Sequence, residues 1–267
     1  MKNTYKRLIT FGDSFTWGSE LPDCIEVPVM DLLQNPDKYS KEFDILRDRK
    51  IGPFSETNLK GEIKSIGKSG FSLCTWPALV AKHLELDYHC ASRPGCSNQT
   101  IVRQITKFLP DLTDSDLIII DWTYQDRWDY VDVDEHRVEN QWKTLRPGSD
   151  NNSPIEKFYF THIQSELWNK WESLRAIMLA TYMLKSRNIS FFMTSEDTTL
   201  LDNSYHSPSY IINAQDEISD YIHWFENKGF YDWSLEKNFP RGTKNNHPLV
   251  EAHRAAFEYI INNYEFT

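Results

Sequence analysis

The sequence predicts an α/β protein in which a parallel sheet is covered by helices on both faces. Three observations carry that expectation. Short apolar runs read as buried strands at 8–11, 117–120 and 189–194. The stretches between them place apolar residues at helical spacing. Strands that alternate with helices along a chain fit a parallel sheet. At 267 residues, 40% of them hydrophobic, the chain can bury a sizeable core within one domain. A single domain over 1–267 is therefore expected, with irregular insertions near 25–70 and 126–154.

Taken in order, the first strand is Leu8-Ile9-Thr10-Phe11, and it runs into the turn Gly12-Asp13-Ser14. The 25–70 stretch mixes Pro28, Pro36, Gly52, Pro53, Gly61, Gly67 and Gly70 with charged residues. It reads as an insertion with a short helix near 37–48, either a lid or substrate wall or a passive loop. A helix follows over 76–84, then a strand containing Cys90. Leu117-Ile118-Ile119-Ile120 is a buried strand between turn-rich flanks. One long helix is expected over 155–185, with Leu167, Trp171, Leu174 and Met178 on one face. After the strand 189–194 comes Ser195-Glu196-Asp197, then a helix near 214–227. Leu249, Ala252, Ala256 and Tyr259 mark a closing amphipathic helix, with Pro248 suited to its first position.

Ser14 and His247 are the candidate catalytic pair. A Gly-Asp-Ser turn leaving a strand can present a hydroxyl at the carboxyl edge of a sheet, where α/β proteins bind ligands. A serine there acts as a nucleophile if a base reaches it; otherwise these residues make an ordinary turn. His247 precedes Pro248 and so takes extended backbone just outside the last helix. The positive end of that helix disfavours imidazolium, as a general base requires. His253, further into the helix, reads as a packed side chain.

The Gly-Asp-Ser turn after the first strand and His247-Pro248 before the last helix resemble the SGNH (GDSL-type) hydrolases. The resemblance implies a flavodoxin-like three-layer α/β/α sandwich of about five mostly parallel strands. It also implies an oxyanion hole built from the N–H groups of Ser14 and of Gly95, in Pro94-Gly95-Cys96-Ser97-Asn98. Thr123 stands where the family has its oxyanion asparagine, and Asp121 where it has glycine. The family's aspartate three residues before the histidine is replaced by Lys244. The third member must therefore come from elsewhere: Asp232 is the nearest upstream candidate, Glu251 and the Glu196-Asp197 pair are others, or Ser14 and His247 act as a dyad.

The resemblance implies a serine esterase, slow if the acid is missing, that removes an O-acetyl or short acyl group. A carbohydrate is the preferred acyl carrier, with Trp17, Trp122 and Trp128 as an aromatic wall. The same residues would serve an acyltransferase. The alternative from another class is a degenerate domain that binds a glycan or protein partner. No metal or cofactor is implied.

Composition narrows the partners. A formal net charge of −10 argues against nucleic acid. Cys24, Cys74, Cys90 and Cys96 lack C-x-x-C or zinc-ligand spacing and read as packed thiols. The four apolar residues after the N-terminal Met-Lys-Asn-Thr-Tyr-Lys-Arg are too few for a secretory leader. No run approaches a membrane span. A cytoplasmic location is expected; the oligomeric state is left open.

Overall fold

The computed structural model describes residues 5–24, 38, 40, 70–132, 142–148, 153–202 and 207–266. Apart from 38, 40 and 70, the expected 25–70 insertion, with its short helix, lies outside the described residues. In chain order the elements are β1 (Arg7–Phe11), α1 (Ser14–Trp17), α2 (Trp76–His83), β2 (Asp87–Cys90), α3 (Asn98–Phe108) and β3 (Asp116–Trp122). There follow β4 (Trp128–Val131), β5 (Trp142–Leu145), α4 (Pro154–Phe158), a π-helical turn (Tyr159–Ile163) and α5 (Glu166–Lys185). The chain closes with β6 (Ser190–Ser195), α6 (Ser209–Ser219), α7 (Phe230–Glu236) and α8 (Val250–Asn263).

The central sheet has the order β2-β1-β3-β6, and every pair is parallel. Its side chains alternate between two cores. Leu8, Leu117 and Ile119 pack with Trp76, Val80, Ala252 and Ala256 of α2 and α8. Ile9, Phe11, Ile118 and Ile120 pack with Ile101 and Ile105 of α3, Leu174 and Ile177 of α5, and Ile211 of α6. This period of two, buried on both faces, is what a sheet between helical layers requires. Each fully buried branched side chain contributes about 1.5–3 kcal/mol. The three-layer α/β/α sandwich is thus present.

The edge differs from the expected five strands. Beyond β6, among the described residues, pairing is a single parallel bridge between Met193 and Ile222, with the His223 N–H donating to the Met193 carbonyl at 2.8 Å. The segment between α6 and α7 crosses the edge too briefly to form a strand.

Three further expectations are corrected. The irregular 126–154 stretch contains the antiparallel ribbon β4–β5. No apolar run announces it, because its anchor is polar: Asp129 accepts from Ser97 Oγ, Thr100 Oγ1 and Arg103 Nη2 on α3 and from Thr144 Oγ1 on β5. The long 155–185 helix is broken at Gln164-Ser165, where Ser165 Oγ accepts the Trp168 N–H at 3.1 Å and caps α5. The helix near 214–227 runs instead from Ser209 to Ser219. Among the described residues no helix is long and apolar enough to cross a membrane.

Candidate active site

Strand order reverses at β1, which pairs with both β2 and β3, and the crevice outside the carboxyl ends of such strands is the usual ligand position. The loops carrying Ser14, Gly95 and Thr123 all leave this edge, after β1, β2 and β3 in turn. The turn after β1 needs a glycine, since a Cβ on Gly12 would stand 1.9 Å from Thr16 Oγ1. Asp13 then caps α1, its Oδ1 accepting the Phe15 N–H at 2.9 Å. That cap orients Ser14, which is 8% exposed.

His247 reaches Ser14 from the far end of the chain, with Nε2 2.9 Å from Ser14 Oγ. Its Nδ1 lies 2.6 Å from Oε2 of Glu20. The edge of Phe15 packs against the imidazole, with ring centroids 5.0 Å apart. Helix α8 begins at Val250 rather than at Pro248, because Pro248 pairs with Arg241 in a bridge that closes the 241–248 loop. His247 is therefore fixed by this loop and by Glu20, with the helix N-terminus further away than the sequence suggested.

Glu20, which the sequence did not single out, occupies the place of the missing acid. Its carboxylate also accepts the N–H groups of Lys244 at 2.8 Å, Asn245 at 3.1 Å and His247 at 3.3 Å. Successive N–H groups in a turn form a concave anion site. Burial pushes the Glu20 carboxyl up, but the bond from His247 and the three backbone donors outweigh it and hold the group below the usual value. Its backbone is left-handed, with φ of +67°. That conformation costs a non-glycine residue about 1–2 kcal/mol. Gly242 makes room for the carboxylate, since a Cβ there would stand 2.3 Å from Glu20 Cδ.

The other acids are placed differently. The expectation for Asp232 is corrected: the Nδ1 of His247 is on Glu20, while Asp232 in α7 takes the Thr198 N–H and senses Lys228. Glu251 is exposed on α8. Asp121 and Glu196 are buried together at the ends of β3 and β6. As two carboxylates their four oxygens lack donors, so a proton on one of them supplies the bond between them. Burial, then the charges of Asp121 and Asp13, push Glu196 well up; burial also raises Asp121, to about 8, against the lowering effect of its bond to Glu196.

The proposed oxyanion donors also divide. Gly95 has φ of +71°, and Nη1 of the exposed Arg146 lies 2.7 Å from where a Cβ would be. Among the described residues the Ser14 and Gly95 N–H groups donate to no backbone acceptor. Thr123 is corrected: its hydroxyl proton goes to Asp13 Oδ2 at 2.9 Å and its N–H to Asn98 Oδ1 at 2.9 Å. Asn98 cannot replace it, because its amide donates to the Thr123 carbonyl and to Ser173 Oγ. Of the expected aromatic wall, Trp122 is wholly buried with its indole N–H on Met193 Sδ. Trp17 and Trp128 are half-buried, packed on Phe71 and Tyr159. His253 accepts the Trp76 N–H at 3.3 Å, and burial pushes it down to about 3, so its ring is neutral. No disulfide joins any of the four cysteines.

No protein-family model and no curated protein matches the sequence. Among solved structures, the chain is similar to a member of the lipolytic G-D-S-L family from Veillonella parvula, at 9% identity and TM-score 0.45, covering 98% of this chain and all of the other. A variant of an acetyl-xylooligosaccharide esterase from Geobacillus Stearmophilus gives 11% identity and TM-score 0.46, with 100% and 99% covered. An acetyl xylan esterase from Butyrivibrio proteoclasticus gives 14% identity and TM-score 0.44, with 97% of this chain and 64% of the other covered.

Proposed function

We propose that the chain is a serine esterase of the SGNH type that hydrolyses an O-acetyl or short acyl ester. One observation carries this: Ser14, His247 and Glu20 form a continuous relay at the carboxyl edge of the sheet, at 2.9 and 2.6 Å. Nucleophile, base and orienting acid in that order are what acyl transfer needs. In the reaction, His247 Nε2 takes the Ser14 proton as Oγ attacks the acyl carbon. The C–O bond to the alcohol then breaks, and the alcohol leaves with that proton. Water attacks the acyl-serine, gives its proton to His247, and the carboxylic acid departs as Ser14 Oγ is reprotonated. Glu20 keeps Nδ1–H directed away from Ser14 and stabilises the transient imidazolium. The N–H groups of Ser14 and Gly95 receive the negative oxygen.

Ser14 is 8% and His247 7% exposed, which favours a short acyl chain. A carbohydrate is the preferred carrier, because aromatic faces such as Trp17 and Trp128 stack well on sugar rings. The alternative of a degenerate binding domain rested on the absent acid and on the altered Gly-x-Asn-Asp position; Glu20 beside His247 speaks against the first ground, while Thr123, bonded to Asp13, leaves the second standing. The test is labelling of the pure protein by a fluorophosphonate probe, with Ser14→Ala as control. Labelling of the wild type alone is expected, followed by turnover of short acyl esters. Absence of labelling in folded protein would favour the binding domain, and equal labelling of both proteins would place the reactive group elsewhere. An added alcohol that outcompetes water for the acyl group would mark an acyltransferase.

A further inference from the structure

The commitment of Thr123 and Asn98 leaves the proposed site with no side-chain oxyanion donor at that position, and a cation stands beside the gap. Arg127 lies in the turn between β3 and β4. Its Nη1 donates to Asp13 Oδ2 at 2.8 Å and to the Cys96 carbonyl at 2.9 Å. Asp13 is the residue before Ser14, and Cys96 is the residue after Gly95. A single nitrogen thus ties together the two loops whose N–H groups would hold the oxyanion. The side chain is only 11% exposed, and the Tyr124 ring lies 5.2 Å from its guanidinium carbon. Among the described residues Nε and Nη2 have no hydrogen-bond acceptor, yet neither is sealed from solvent.

We infer that Arg127 is the positioning residue of the oxyanion site: its Nη1, ion-paired with the buried Asp13 carboxylate and bonded to the Cys96 carbonyl, sets the Ser14 and Gly95 N–H groups at a fixed separation. The inference rests on the proposed esterase reaction. Arginine holds this nitrogen at the end of a rigid planar group, whereas a lysine ammonium sits on a flexible stem and is not fixed in place. Donors held at the separation that the developing oxyanion needs act chiefly on the transition state, so the effect belongs in kcat.

The experiment compares Arg127→Ala and Arg127→Lys with the wild type on a p-nitrophenyl acetate assay, with circular dichroism to verify folding. The expected result is a fall in kcat of at least about tenfold for Arg127→Ala, up to the roughly 10²–10³ that losing one oxyanion donor outright costs, with KM within about threefold. Millimolar guanidinium should restore at least about tenfold of that loss in Arg127→Ala and none in Ser14→Ala. If Arg127→Ala does not fold, Arg127→Lys decides: a kcat at least about tenfold down at unchanged KM supports the inference, and wild-type kcat overturns it. A folded Arg127→Ala with near wild-type kcat, with its loss in KM, or without rescue overturns it too. Fluorophosphonate labelling of wild-type Ser14 separates the two claims. With labelling, a null effect at Arg127 sinks this inference alone; without it, the esterase reaction fails and the inference fails with it.

Discussion

Glu20 and His247 are joined across 227 residues of chain, with carboxylate Oε2 2.6 Å from imidazole Nδ1. The acid comes from six residues beyond the serine that the same imidazole faces. The loop before His247 contributes backbone N–H groups to that carboxylate in place of a carboxylate of its own. An acid carried by the first loop thus meets the imidazole Nδ1 that the last loop presents.

Glu20→Gln keeps the size of the side chain and removes its charge, so the imidazole loses the partner that fixes its tautomer. With a short acyl ester, kcat should fall on the order of 10⁴-fold with little change in KM. A kcat within threefold of wild type would mean that His247 works without an orienting acid.

Gly242→Ala tests the same contact from the opposite side. A methyl group there would stand 2.3 Å from Glu20 Cδ, with 2.4 Å to one carboxylate oxygen, and the carboxylate must move. Activity should drop towards that of Glu20→Gln, while the fold loses only about 1–3 kcal/mol, as is usual for overpacking. Circular dichroism melts alongside steady-state kinetics would show whether the two effects separate in this way.

The Asp121–Glu196 pair predicts a pH dependence of stability. Both carboxyls are raised in the folded state, so the folded protein holds more protons than the unfolded chain above the usual carboxylate range of about 4. Stability contributed by the protonated pair is therefore full in acid and is lost as pH rises through the folded values. Glu20 is shifted the other way, and its contribution is lost only as pH falls below the carboxylate range. Between pH 5 and 8.5 the wild type should lose melting temperature, and Asp121→Asn should flatten that slope. The difference should reach a few degrees, given roughly 2–4 °C per kcal/mol in a chain of this size. Parallel slopes for the two proteins would contradict the assignment.

The strands were legible in the sequence for a simple reason. Leu8, Ile9, Phe11 and residues 117–120 are apolar because both faces of the sheet are covered, and a doubly buried strand must be written as an apolar run. Ribbon β4–β5 was not legible, because Asp129 fastens it through hydrogen bonds that leave no hydrophobic pattern. The break before α5 was missed because Ser165 changes the backbone at one position while apolar residues continue on both sides.

At the site, local rules in the sequence pointed to Ser14, in a turn after a strand, and to His247, before a proline, while Gly95 came from the resemblance to the SGNH hydrolases. Only the tertiary structure decided the rest. Glu20, Gly242 and Arg127 matter through contacts with residues more than twenty-five positions away, and Thr123 drops out because its one hydroxyl proton is already bonded to Asp13. A pattern along the chain reports the local backbone and which face is buried. Which donor meets which acceptor depends on how distant segments are brought together, and spacing carries no record of that.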